Sequence, residues 1–263
     1  MSSIGRIIGR HRVNAGLSVA TTLFGLLLLG CAVLLFAIKD KANPEGAALL
    51  GRTMIGGGLI GAGLVLAGVL LRRRAWLVGE LGVQGPARHG TETWMYGGIA
   101  ETCQFYRSGM SVGLAWRKHG ADEWGAVNAH LSGYRRFADT LLQGYLQHRV
   151  PALLHEIERG HTVSFRLLSA AGYAQKQFAL GIRSYLNADT VPVRLSRFTL
   201  SLPGQDVAIA SIHALDMSAW TERLSIRLHD GSSVSVSYTG LFDGPLLLAL
   251  LDQLIAAGRQ QAA

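Results

Sequence analysis

The sequence predicts a mixed α+β protein: two membrane-spanning helices first, then two antiparallel β units, each closed by a C-terminal helix. Three observations lead there. Residues 16–38 and 53–71 are apolar runs with no charged side chain. From Ala75 onward, short runs alternate polar and apolar residues between Gly, Ser and Asp breaks. Each series of such runs ends in a longer stretch with helical spacing. The organisation that follows is an anchor over 1–74, a first β unit over 75–160 and a second over 161–263.

The anchor rests on length and charge. Each apolar run is about long enough to cross a hydrocarbon core roughly 30 Å thick at about 1.5 Å per residue. The first is longer than the core of a cleaved signal peptide. Leu28-Leu29-Gly30-Cys31 loosely matches a lipoprotein cleavage box, but Leu29 is large and AVLLFAI follows, so Cys31 reads as a small apolar thiol within a helix. The chain holds 25 Lys/Arg against 17 Asp/Glu, a net charge of +8. Residues 1–74 hold nine of those basic residues and two of the acidic ones, a balance of +7, so the remainder is nearly neutral. Nucleic-acid binding thereby loses its main support.

The same charges set an orientation. Arg6, Arg10 and Arg12 precede the first span, and Arg72, Arg73 and Arg74 close the second; Lys39, Lys41 and Arg52 lie between the spans. The excess of Lys/Arg on the outer flanks predicts an inner-membrane protein with both ends in the cytoplasm. Trp76 is then an interfacial anchor. Gly56-Gly57-Gly58-Leu59-Ile60-Gly61 matches GxGxxG, but a dinucleotide site needs a strand before it and a soluble helix after. Gly57, Gly61 and Gly68 read instead as helix-packing positions. Their partner is the first span, through Gly25 or Gly30, or the same span of a second copy.

The second β unit is the clearer of the two. Thr162–Leu168, Tyr173–Leu180 and Val191–Leu200 read as strands, and Val207–Leu215 as another strand or a strand with a bulge. Arg223–Leu228 alternates strictly, Asp230-Gly231 supplies a turn, and Val234, Val236 and Tyr238 alternate in the return strand, which makes a hairpin with one wet face. Asp243 or Gly244 then caps a helix with Pro245 near its first position. Leu247, Leu250, Leu251 and Leu254 form one apolar stripe, and Gly258 is the expected stop. In the first unit, Cys103–Tyr106 and Met110–Trp116 flank the turn Arg107-Ser108-Gly109. Asp139–Arg159 is helical, with Pro151 expected to kink or split it and Gly160 to end it.

A span pair, then Tyr106-Arg107-Ser108-Gly109, then a helix running into Glu156-Ile157-Glu158-Arg159-Gly160-His161-Thr162-Val163-Ser164-Phe165, then a strand–helix unit, resembles uncharacterised bacterial membrane proteins with pleckstrin-homology-like (PH-like) domains. The resemblance implies tandem PH-like antiparallel β-barrels, each closed by a C-terminal helix, and a scaffold-like role without catalytic residues. The chain departs from the pattern at Arg166, where a small Gly is expected, and in a first barrel short of strands.

Candidate chemistry is sparse. Among nine histidines, His148, His155 and His161 gather around the first unit's helix. His155-Glu156 begins like HExxH, but Arg159 stands where the second ligand belongs. A metal-dependent hydrolase using His148, His155 and Glu156 is therefore an alternative. No G-x-S-x-G or P-loop is present, and no cofactor is called for. Arg117 and Lys118, with Arg135 and Arg136, are candidate contacts for anionic lipid headgroups. The reading is a membrane-anchored, non-catalytic binding or scaffold protein whose partners are the bilayer and a protein. A further alternative is an accessory subunit of a transport or envelope-assembly complex, docking or self-associating through the second span.

Overall fold

The structure, a computed structural model, describes residues 3–38, 44–73, 75–87, 90–107, 109–178, 185–218 and 222–262. The chain divides into two compact units, one of residues 1–79, 83–93 and 130–137, the other of 80–82, 94–129 and 138–263.

The first unit contains helices α1 (Ala15–Ile38) and α2 (Pro44–Arg73). Both are long and apolar enough to cross a membrane. Their large side chains face outward, Leu34 at 67% and Leu59 at 71% exposure, which water would penalise and hydrocarbon would not. α1 begins where Asn14 accepts from the Gly16 amide at 2.9 Å, an N-cap that spares one orphan donor. α2 starts well before the predicted 53–71, because a helix backbone runs on through polar Glu45 and Arg52 at its membrane end. α1 and α2 meet along Gly58, Gly61, Val65 and Gly68, spaced three, four and three apart like a coiled-coil seam. A methyl on Gly61 would lie 2.8 Å from the Gly25 carbonyl, and Ser18 donates to the Gly68 carbonyl at 2.6 Å.

Strand β1 (Ile7–Arg12) precedes α1 and was not expected from the sequence. It pairs antiparallel with β2 (Ala75–Gly79), placing Arg12 opposite Ala75. The whole helical pair is thus the connection of a β-hairpin. β3 (Gly82–Ala87) and β4 (Gly90–Met95) complete a sheet of order β1–β2–β3–β4. Trp76 is buried against Phe137 in this unit, with ring centroids 5.8 Å apart, rather than set at a membrane interface.

In the second unit, β5 (Ile99–Arg107), β6 (Met110–Lys118) and β7 (Trp124–Asn128) form a three-stranded meander. Helix α3 (Tyr134–Glu158) starts in the first unit and continues into the second. Pro151 does not split it, since both Pro151 and Gln147, whose carbonyl loses its partner, face solvent. Gly160 ends it in a Schellman motif: its amide donates to Ile157 and that of His161 to Glu156, both at 3.0 Å.

Beyond α3 come β8 (Val163–Leu168), α4 (Ala170–Phe178), β9 (Thr190–Leu195), β10 (Thr199–Leu202) and β11 (Gln205–Ala208). The strand expected at Tyr173–Leu180 is helix α4 over its described part. Ser169 caps it, accepting from the Gly172 amide at 3.0 Å, and an Ala-rich first turn follows. The expected strand Val191–Leu200 is two, because Ser196 turns the chain between β9 and β10. Val207–Leu215 is likewise divided by a 3-10 turn, Ile209–Ser211, leading into β12 (Ile212–Ser218). β13 (Arg223–Leu228) and β14 (Ser233–Ser237) form the expected hairpin, and α5 (Gly244–Ala262) closes the chain. Gly258 lies inside α5 and does not stop it.

One element order therefore runs twice. β1–β4, a 3-10 turn at Tyr96–Gly98, β5–β7 and α3 are followed by β8–β11, a 3-10 turn at Ile209–Ser211, β12–β14 and α5. Fine details recur. Both fifth strands carry a bulge at their start, at Ile99/Glu101 and at Ile212/Ala214. In each run, the loop before the closing helix bridges the first strand's end, Val13 to Leu131 and Leu167 to Leu241. Gly133 and Asp243 both take left-handed backbone there. Among the described residues, however, the strands form four separate sheets and not closed barrels. Each ladder breaks where a 3-10 turn follows its fourth strand, and single bridges do not make a continuous seam.

Candidate functional site

The second unit holds a polar cleft of about 460 Å³ between β5, β6, β8 and the start of α5. Its centre is Glu101, only 8% exposed on β5. Arg166 of β8 grips it with two parallel bonds, Nε to Oε1 at 2.7 Å and Nη2 to Oε2 at 3.1 Å. Arg117 of β6 adds an ion pair at 2.7 Å. Such fork geometry is the strong form of a charge-assisted bond. The two guanidinium groups are also held by rings, Arg166 4.0 Å from the Phe242 centroid and Arg117 5.0 Å from that of Trp124. Lys118 and His119 line the same cleft, with the Lys118 ammonium 5.7 Å above the Trp94 ring.

Behind Glu101 lies a buried carboxyl. Asp243, expected to cap α5, directs Oδ1 away from the helix. That oxygen accepts from the Thr102 amide at 2.7 Å, the Thr102 hydroxyl at 2.8 Å and the Tyr145 hydroxyl at 3.0 Å. Its own amide donates to the Thr102 carbonyl at 2.9 Å. The left-handed backbone at Asp243 aims the side chain this way. Burial pushes the carboxyl up to about 7, with nearby Glu101 adding to the rise and the Thr102 and Tyr145 bonds opposing it. Tyr145 is pushed up as well, by burial first and by Asp243 second. Beside this group Cys103, Ala115, Leu168, Tyr185 and Phe242 form one buried apolar cluster. Burial raises the Cys103 thiol well above its ordinary range, so it is no reactive thiolate.

The structure brings only some of the sequence candidates together. Arg117 and Lys118 share the cleft, whereas Arg135 and Arg136 are exposed on the first turn of α3, in the other unit. Gly61 and Gly68 lie against α1, but Gly57 falls off the seam and has nothing of α1 beside it; Gly25 meets α2 and Gly30 does not. Arg72 is exposed at the end of α2, Arg73 is its last residue, and Arg74 and Ser108 lie outside the described residues. His148 bonds the Gly144 carbonyl through Nδ1 at 2.9 Å and leans on Tyr96, while His155 and Glu156 are exposed a turn or more away. Among the described residues no three His, Cys, Asp or Glu side chains gather as a metal site. Cys31 is exposed on α1 and Cys103 buried, both as free thiols.

Sequence reasoning missed Glu101, Thr102 and Tyr145 as site residues and read Asp243 only as a helix cap. Thr102 and Asp243 are separated by 141 positions, and no periodicity connects them. Arg166 did carry a signal, as the departure from the small residue the resemblance leads one to expect. No family model, curated protein or solved structure matches the chain.

Proposed function

We propose that this chain is a membrane-anchored binding or scaffold protein with two PH-like units, acting without catalysis on a protein or lipid partner. One observation carries the reading. A four-stranded meander, a 3-10 turn, a three-stranded meander and a closing helix occur twice in order, the strand-and-helix complement of a PH-like unit. In the first occurrence the apolar helices lie between the first and second strands, the place that α4 takes in the second. Because β1 and β2 pair across that insertion, both ends of the helical pair belong on one side of a bilayer. The basic excess at Arg6, Arg10, Arg12 and Arg72–Arg74 favours the cytoplasmic side of an inner membrane. Gly56 and Gly63, seven apart on the side of α2 away from α1, meet nothing within 4 Å, the face a second copy or an accessory subunit would use.

The polar cleft is the favoured contact surface, since its charged groups are fixed by rings and ion pairs before any partner arrives. In-cell photocrosslinking of the full chain tests this. A photoreactive residue at Asp122, on the cleft, is expected to trap one reproducible protein or lipid, while the same residue at exposed Asp206 traps none. Identical background patterns from both positions would sink the scaffold reading. A reporter fused to the C-terminus should be active only in the cytoplasm.

A further inference from the structure

We infer that the second run carries a binding site for a single-chain fatty carboxylate, in the groove between the last turns of α5 and the 3-10 turn that joins β11 to β12. The groove encloses about 590 Å³, within the usual range of small-ligand sites. Ile209, Ile212 and Leu254 form its floor, at 5%, 1% and 9% exposure. Phe198 stands at its wall, 71% exposed, an aromatic surface left to water unless something apolar covers it. Gly258 lines the α5 side, and a side chain there would meet nothing within 4 Å. A glycine inside a helix costs about 1 kcal/mol against alanine, so the open space at this turn has no stabilising purpose in the empty fold.

The first run shows what a filled version looks like. Tyr96 and Ile209 each open the 3-10 turn of their run, and each donates its amide to the turn after the second strand, at Leu81 and Phe198. Counted from the left-handed residues Gly133 and Asp243, Gly144 of α3 matches Leu254 of α5, and His148 matches Gly258. The Tyr96 ring lies directly on Gly144 and beside His148. In the second run the ring is an isoleucine and the histidine a glycine, so the same place stays hollow and apolar.

Charge and hydrogen bonding select the occupant. Arg197, Arg259 and His229 stand around the groove against a single carboxylate, Glu158, so an anionic head group is favoured. A peptide adding to the edge strand β12 is disfavoured. The Arg259 guanidinium already donates to the His213 carbonyl at 2.8 Å, the acceptor that an added strand would need. An apolar chain with an anionic head, and no backbone to pair, suits both constraints. The volume accommodates one chain.

The test uses the full chain in nanodiscs of zwitterionic phosphatidylcholine, with palmitate carrying a diazirine near its chain end. Adducts should map to peptides containing Phe198 or Leu254–Gly258, and excess palmitate should compete them away while hexadecanol does not. Arg197→Gln with Arg259→Gln should cut labelling of those peptides roughly tenfold, the effect of losing a charge-assisted bond. Ala257→Trp, which fills the groove from a solvent-facing position, should abolish it while labelling of α1 and α2 persists and reports an intact protein. Adducts confined to α1 and α2, or equal competition by hexadecanol, would overturn the inference. Neither result bears on the crosslinking at Asp122, because the groove stands apart from the polar cleft.

Discussion

The two runs share a frame and differ in what they place at matching points. Before the closing helix, the first run has Gly133 and the second Asp243, both left-handed, with φ of 68° and 55°. Glycine takes that conformation without strain; aspartate takes it at a cost of about 1 kcal/mol or more. In the first run the neighbours are correspondingly simple. Gly133 lies against the His11 ring, and His11 bonds the Ser132 carbonyl at 2.9 Å. In the second run the strained residue gains three bonds to Thr102 and Tyr145. Strain at one turn is tolerated because it ties the second run's helix to a strand and helix of the first.

The difference can be broken most sharply at that residue. Asp243→Ala leaves two hydroxyls and an amide buried without their acceptor and should cost about 3 kcal/mol or more. Gly133→Ala loses no hydrogen bond and should cost about 1 kcal/mol through its backbone. Denaturation of the full chain in nanodiscs, followed by tryptophan fluorescence, measures both. Equal losses would mean that the Asp243 bonds contribute nothing.

A titration sharpens the same contrast. Asp243 is held at about 7 in the fold against an ordinary value of 3.8. As pH rises, the unfolded chain releases this proton first. The stabilisation is present in full below about pH 4 and is lost progressively as pH climbs to about 7, above which the loss is constant. Asp243→Asn should flatten this part of the stability profile. If its slope between pH 5 and 7 equals that of the parent, the buried carboxyl is not its source.

A further contrast concerns the ring that fills one groove and is missing from the other. Gly144→Leu installs the second run's residue beneath Tyr96 and should cost about 1–3 kcal/mol by overpacking. Adding Tyr96→Ile should recover part of that loss, because the pair then matches Ile209 and Leu254. Strict additivity of the two changes would deny that they occupy equivalent places.

What the sequence disclosed follows the range of the forces involved. The apolar spans, the Asp230-Gly231 hairpin and the Gly160 helix end are local patterns, legible within a dozen residues. β1 was not, because Ile7–Arg12 resembles a basic membrane flank and its partner lies beyond both spans. The alternation around Tyr173 predicts a strand, but α4 forms there because Ser169 caps it and an Ala-rich first turn follows. The candidate site was the least legible part. Arg117 and Lys118 could be singled out as a basic pair, but Glu101, Tyr145 and Asp243 acquire meaning only when four distant segments meet.

The pairing of β1 with β2 has a consequence for how the molecule is made. Synthesis produces β1 first, yet its partner strand emerges only after α1 and α2 have both left the ribosome. If α1 and α2 span a bilayer as proposed, a chain that inserted one and failed to insert the other would hold β1 and β2 on opposite faces, where they can never meet. On the proposed topology the first sheet thus completes only after both helices have inserted, and an unpaired β1 edge marks the chains in which insertion failed.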